Sequence, residues 1–131
     1  MEIVTQLSVV AANEPGVLAN VCGYLSDQKI SILGMSIVDH ADYALVRMVV
    51  NDPSKGAHLL GEAGLFVIEN DIVKIELSRK PGSLEKIVRT LGDGGLNIAY
   101  LYASEAAEGS AMMYVQTSDN RSAIALLAKN M

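Results

Sequence analysis

The stretch EPGVLANV, Glu14 to Val21, returns later in the chain as KPGSLEKI, Lys80 to Ile87. A shift of 66 positions lays Pro15 on Pro81, Gly16 on Gly82, Leu18 on Leu84, Leu25 on Leu91, Asp27 on Asp93 and Ile32 on Ile98. Val21 falls on Ile87 and Ile30 on Leu96, so one register holds from Pro15 to Ile32 without a gap. Such self-similarity is the mark of an internal repeat. It divides the 131 residues into two units, 1–70 and 71–131, that meet at Asn70-Asp71.

Both units read as the same order of elements. In the first, Ile3 to Ala11 is a β-branched run, and Asn13-Glu14-Pro15-Gly16 is a turn that starts a helix. Asn13 can cap that helix, and Pro15 suits its first turn because its missing N–H has no partner there. Leu18, Val21, Cys22 and Leu25 fall on one helical face. Ser31 to Asp39 and Tyr43 to Val50 are strands about a turn at His40 to Asp42. Asp52-Pro53 opens a second helix, Gly64 stops it, and Leu65 to Ile68 is a fourth strand. The second unit repeats this with Ile72 to Leu77, a helix from Pro81 to Leu91, strands Asn97 to Ser104 and Ala111 to Thr117, and a helix from Asp119 to Ala128. The expected class is α+β: two ferredoxin-like β-α-β-β-α-β repeats, each an antiparallel sheet with helices on one face, the second lacking its last strand. That absence should leave Ile72 to Leu77 as an edge open to pairing by another segment or chain.

Composition narrows the function. A formal charge of -5, with ten scattered Lys and Arg, argues against non-specific nucleic-acid binding. No apolar run approaches the roughly 18 residues of a membrane span, and Glu2 and Gln6 spoil a signal-peptide reading, so a cytoplasmic protein away from membranes is expected. The single Cys22 excludes an intrachain disulfide and reads as a small apolar helix residue. His40 beside Asp39 and Asp42 reads as an Asp-rich turn rather than a metal site, and His58 as a solvent-facing helix residue. No nucleophile-base, H-E-x-x-H or phosphate-loop signature is present. No catalytic residue, metal or cofactor is therefore assigned.

With that element order in place, NEPGVLANVCGYLSDQKISI (13–32) and RKPGSLEKIVRTLGDGGLNI (79–98) resemble the loop, first helix and second-strand entry of ACT domains, commonly D-x-P-G-x-L followed by G-I-N-I. Val38 to Lys55, VDHADYALVRMVVNDPSK, is similar to the second hairpin of tandem ACT proteins. The resemblance covers nearly the whole chain and implies an amino-acid-binding regulatory module of ferredoxin-like fold. Two departures stand out. Ser31 replaces the usual Asn that Asn97 keeps, and the acidic position two before Pro is Asn13 in one repeat and Arg79 in the other.

In such a fold the turn before the first helix brings backbone N–H groups close to a ligand, and glycine admits the approach. A free amino acid fits: its carboxylate would take the amides of Gly16, Val17 and Leu18, beside Glu14, or of Gly82, Ser83 and Leu84, where Lys80 or Arg79 adds a cation. Asn13, Ser31, Asn97, Asp39 and Asp42 are candidate acceptors for its ammonium. The alternative is that Pro and Gly only make a tight turn.

Tyr43 to Val50 is apolar on both faces, and Tyr100, Tyr102 and Tyr114 suit an interface or a core. These features predict a homodimer. The expected function is non-catalytic binding of a small amino acid at the interface of the repeats, reported to a partner enzyme or regulator. Two alternatives remain: an assembly subunit that binds a partner protein and no ligand, and a small enzyme on the same fold.

Overall fold

The computed structural model describes residues 1–130. The order of elements is β1 (Glu2–Ala12), α1 (Val17–Ser26), β2 (Ile32–Asp39), β3 (Tyr43–Val50), α2 (Pro53–Glu62), β4 (Phe66–Ser78), α3 (Ser83–Asp93), β5 (Ile98–Glu105), β6 (Ser110–Thr117) and α4 (Asn120–Asn130). This is the α+β class with tandem ferredoxin-like repeats. The chain forms two compact units, Thr5–Asn70 and Asp71 onward together with Met1–Val4.

In the unit Thr5–Asn70 the strand order is β2-β3-β1-β4. Antiparallel pairing sets Leu7 opposite Met48, Val9 opposite Val46 and Ala11 opposite Ala44. Because side chains alternate across a strand, these pairs form one stripe. That stripe meets Val21 and Leu25 of α1 and Leu60 of α2, all nearly inaccessible to water. α2 begins where the sequence signals it: the Asp52 carboxylate accepts the Lys55 N–H at 3.2 Å and Pro53 opens the first turn.

The second unit repeats the arrangement as β4-β6-β5. Its stripe pairs Val73 with Val115, Ile75 with Met113 and Leu77 with Ala111, and meets Ile87 and Leu91 of α3 and Ala123 and Leu127 of α4. Each repeat even carries its bulge at the same place, between Ile32 and Gly34 in β2 and between Ile98 and Tyr100 in β5.

One local expectation is corrected. The strands around Asn70-Asp71 are one continuous element, β4, because that junction contains neither Pro nor Gly to break an extended backbone. The edge of Ile72 to Leu77 is paired by another segment of the chain: β1 lies beside β4, and Met1–Val4 belongs to the same compact unit, with Glu2 Oε1 3.7 Å from Lys74 Nζ. The chain's own N-terminal residues are thus the segment that pairs with this edge. The apolar second sheet face is covered only in part: Tyr43, Phe66 and Ile68 on it are 42%, 64% and 48% exposed. Gln6, Val49, Ile72 and Tyr114 alternate with the helix-facing residues yet are at most 4% exposed within the single chain. Tyr114 packs on Tyr102 with ring centroids 5.4 Å apart, and burial pushes its phenol pKa above 10.0. Among the described residues no helix is long and apolar enough to cross a membrane.

Candidate ligand-binding site

The Pro-Gly turn is fixed by backbone geometry rather than by a side-chain cap. Gly16 sits at the N-cap of α1 with φ 86°, and no side-chain cap bond is made there. Gly82 repeats this before α3 with φ 90°. A residue with a Cβ is strained in this left-handed region, which is why both repeats place glycine there. The Glu14 carbonyl accepts the Val17 N–H at 3.3 Å and closes the turn. The following amides, of Leu18 and Ala19, lie in the first turn of the helix, where no intrahelical acceptor exists.

The sequence predicts Asn13 as a cap of this helix, but Asn13 does not cap it. Its Nδ2 donates instead to Asp39 Oδ1 at 2.8 Å and to the Ala41 carbonyl at 3.0 Å, joining the Pro-Gly turn to the β2–β3 hairpin. The same Asp39 oxygen accepts the Ala41 N–H at 2.7 Å and holds Ala41 at φ 63°. The DHAD stretch is thus a hydrogen-bonded turn, with the His40 ring stacked on Tyr43 at 4.8 Å. Among the described residues no group of three or more His, Cys, Asp or Glu is placed to hold a metal ion.

Between this turn and the sheet lies a cavity of about 190 Å³. Ala11, Ala44 and Val46 form its floor, all buried, while Ala12, Asn13, Glu14, Val17, Leu18 and Ile37 form its walls and rim. The physical cause is the pair Ala11 and Ala44, two small side chains opposite each other on the helix-facing stripe. Neither reaches α1, and the space stays open. The cavity offers an apolar floor, free helix amides at one side and the exposed Glu14 carboxylate at its rim.

Of the residues singled out by sequence, Asn13, Glu14, Val17 and Leu18 line this cavity, Gly16 caps its helix, and Asp39 holds Asn13 in place. Asp42 lies in the hairpin turn, its N–H donating to the His40 carbonyl at 2.7 Å. Ser31 follows the other end of α1, about 15 Å away along a ten-residue helix, where its N–H donates to Asn51 Oδ1 at 3.0 Å. In the second unit Arg79 pairs with Glu105 at 2.6 Å, and the Lys80 carbonyl accepts the Ser83 N–H at 3.1 Å. Ser83 and Leu84 start α3 behind Gly82. Asn97 lies beyond the far end of that helix, its N–H donating to Ser118 Oγ at 3.1 Å. Sequence reasoning missed Ala11, Ala12, Ile37, Ala44 and Val46. The signal for them was the alanine that each strand carries at one end of its apolar stripe.

A family model described as an ACT domain pair matches residues 1–131. The chain belongs to this family. Among solved structures, protein BT0572 from Bacteroides thetaiotaomicron is similar over 97% of this chain and 88% of its own, with 28% identity and a TM-score of 0.91. The ligand-free regulatory subunit of aspartate kinase from Thermus thermophilus is similar over 100% of this ACT domain pair and 98% of its own chain, at 15% identity and a TM-score of 0.72. The corresponding subunit from Thermus flavus gives 99%, 97%, 16% and 0.65. At these identities the two kinase subunits share the fold with the ACT domain pair. No curated protein matches it by sequence.

Proposed function

We propose that this ACT domain pair is a non-catalytic regulatory module that binds a small free amino acid at the Pro-Gly cavity and reports occupancy to a partner enzyme or regulator. The observation that carries this reading is the convergence, in one cavity, of free first-turn amides, an apolar floor and a carboxylate. The amide of Leu18 would receive the ligand's carboxylate, Glu14 would face its ammonium, and the floor of Ala11, Ala44 and Val46 would take its side chain. The cavity falls short of the roughly 300–1,000 Å³ of sites for drug-sized molecules, which suits a ligand of a few heavy atoms. Coupling to a partner then requires only that the partner bind the occupied and empty forms with different affinity.

Thermal unfolding with each of the twenty amino acids at millimolar concentration tests this. A ligand at about 100 times its Kd adds roughly 2.7 kcal/mol to the folded state, a shift of several degrees for a chain of this size. No shift with any amino acid would sink the reading.

A second reading, an assembly subunit without a ligand, is favoured by Phe66 and Ile68, which are 64% and 48% exposed in β4. It predicts association with another chain, a second copy included, that substitution of Phe66 and Ile68 by Ser abolishes. Sedimentation across a hundredfold concentration range would read this out, and a monomer throughout would count against a homodimer.

A further inference from the structure

We infer that the two repeats are not equivalent: only the first takes the ligand, one molecule per chain, and its ligand carries a short aliphatic side chain. This deepens the function proposed above and rests on it. Superposing the repeats through their strand pairings sets Ala11 and Ala44 against Leu77 and Ala111, and Val9 and Val46 against Ile75 and Met113. On the floor of the first cavity the second repeat therefore has Leu for Ala and Met for Val. Leu77 packs against the core of its unit, and Met113 is 1% exposed within it. The added carbons occupy the place of the space that Ala11 leaves open. The rim changes in the opposite sense, with Ser83 for Val17 and Ala103 for Ile37, so the second repeat has a raised floor and lower walls. A side chain there would have neither depth nor enclosure.

Charge separates the repeats as well. The rim carboxylate of Glu14 is replaced by Lys80, and an ammonium placed beside Lys80 meets a like charge. Arg79, the other cation of that turn, is held by Glu105 at 2.6 Å, as Asn13 is held by Asp39 at the matching positions. The second turn therefore keeps the architecture of the first without a place for the amino group.

The ligand class follows from the floor. Ala11, Ala44 and Val46 present only carbon to the bottom of the cavity, so a charged or amide side chain would be buried there without a partner. A branched or short aliphatic chain loses water and leaves no polar group unsatisfied. Among common amino acids this selects alanine, valine, leucine and isoleucine over lysine, aspartate and glutamine.

Isothermal titration of the full chain with L-alanine, L-valine, L-leucine, L-isoleucine, L-lysine, L-aspartate and L-glutamine tests the inference. The expected result is binding confined to the aliphatic set with one site per chain. Ala11→Leu, which installs the floor of the second repeat, should weaken it by roughly tenfold or more. Glu14→Lys changes only an exposed rim residue, keeps the fold, and should weaken binding comparably; its folding is verified by an unchanged melting temperature without ligand. Two sites per chain, a preference for the charged or amide ligands, or unchanged affinity in Glu14→Lys would each overturn the inference while leaving an amino-acid sensor standing. Absence of a thermal shift with all twenty amino acids would overturn the sensor reading itself.

Discussion

Removing the Asn13 side chain should destabilise the turn that roofs the cavity, by an amount the structure allows us to bound. Asn13 Nδ2 makes two bonds, one to the Asp39 carboxylate and one to the Ala41 carbonyl, at 2.8 and 3.0 Å. A hydrogen bond to a charged group contributes about 1.5–3 kcal/mol when buried, but all these groups are exposed and water competes for them. We therefore expect Asn13→Ala to cost about 0.5–1.5 kcal/mol. Asp39→Ala should cost more, because the same oxygen also accepts the Ala41 N–H at 2.7 Å and holds a non-glycine residue at positive φ. In a double-mutant cycle read by urea unfolding, the coupling of Asn13 and Asp39 should be about 0.5–1 kcal/mol. The repeat supplies a sharper test. Arg79 and Glu105 join the equivalent turn and strand end in the second unit, so Asn13→Arg should pair with Asp39 and lie within about 0.5 kcal/mol of the native chain. A zero coupling energy, or an Asn13→Arg variant less stable than Asn13→Ala, would refute the claim that these positions act as a tie.

Two further predictions concern the second unit. Asn120 is a junction: its Oδ1 accepts the Thr117 N–H and hydroxyl at 3.1 and 2.9 Å, while its Nδ2 donates to the Asp71 carbonyl at 3.0 Å and to Gln116 Oε1 at 3.2 Å. Asn120→Ala leaves Thr117, 5% exposed, without that acceptor, and should cost about 2–3 kcal/mol in the same urea assay, with Thr117→Val partly relieving it. Asp119 just before α4 accepts the Ser122 N–H at 3.1 Å and hydroxyl at 2.8 Å, and these bonds hold its pKa below the ordinary 3.8. A depressed carboxylate stabilises the fold fully above its unfolded pKa and loses that contribution as pH falls through the folded value. The difference in melting temperature between the native chain and Asp119→Asn should accordingly be constant from pH 5 to 7 and shrink below about pH 4; a difference that grows in acid would contradict the assignment.

The repeat and its element order were legible because strong local chemistry marks them twice. Pro-Gly turns, Asp52-Pro53 and β-branched runs act within a few residues of one another, so position in sequence is enough to read them. Asn70-Asp71 was harder, since two polar residues between apolar runs suit a turn as well as an extended strand facing solvent. Only the pairing of β4 with its neighbours decides between these. The role of Met1–Val4 was illegible for a similar reason, because it depends on a contact more than sixty residues distant, such as Glu2 with Lys74. At the site, sequence pointed to the turn through Asn13, Glu14, Gly16, Val17 and Leu18. It did not point to the cavity floor, because alanines in strands are unremarkable until register sets Ala11 opposite Ala44. Asn13 was read as a helix cap because its nearest amides lie in α1, while its observed partners come from a hairpin 26 and 28 positions away.

The most direct test of the account is a ¹H–¹⁵N amide spectrum of the full chain, recorded with and without the amino acid that gives the largest thermal shift. Binding at the Pro-Gly cavity predicts the largest changes at the amides of Val17, Leu18 and Ala19 and at Ala11, Ala44 and Val46, with the matching amides of Ser83, Leu84 and Leu77 nearly still. Changes centred on the second turn, or a spectrum unmoved by any amino acid, would contradict it.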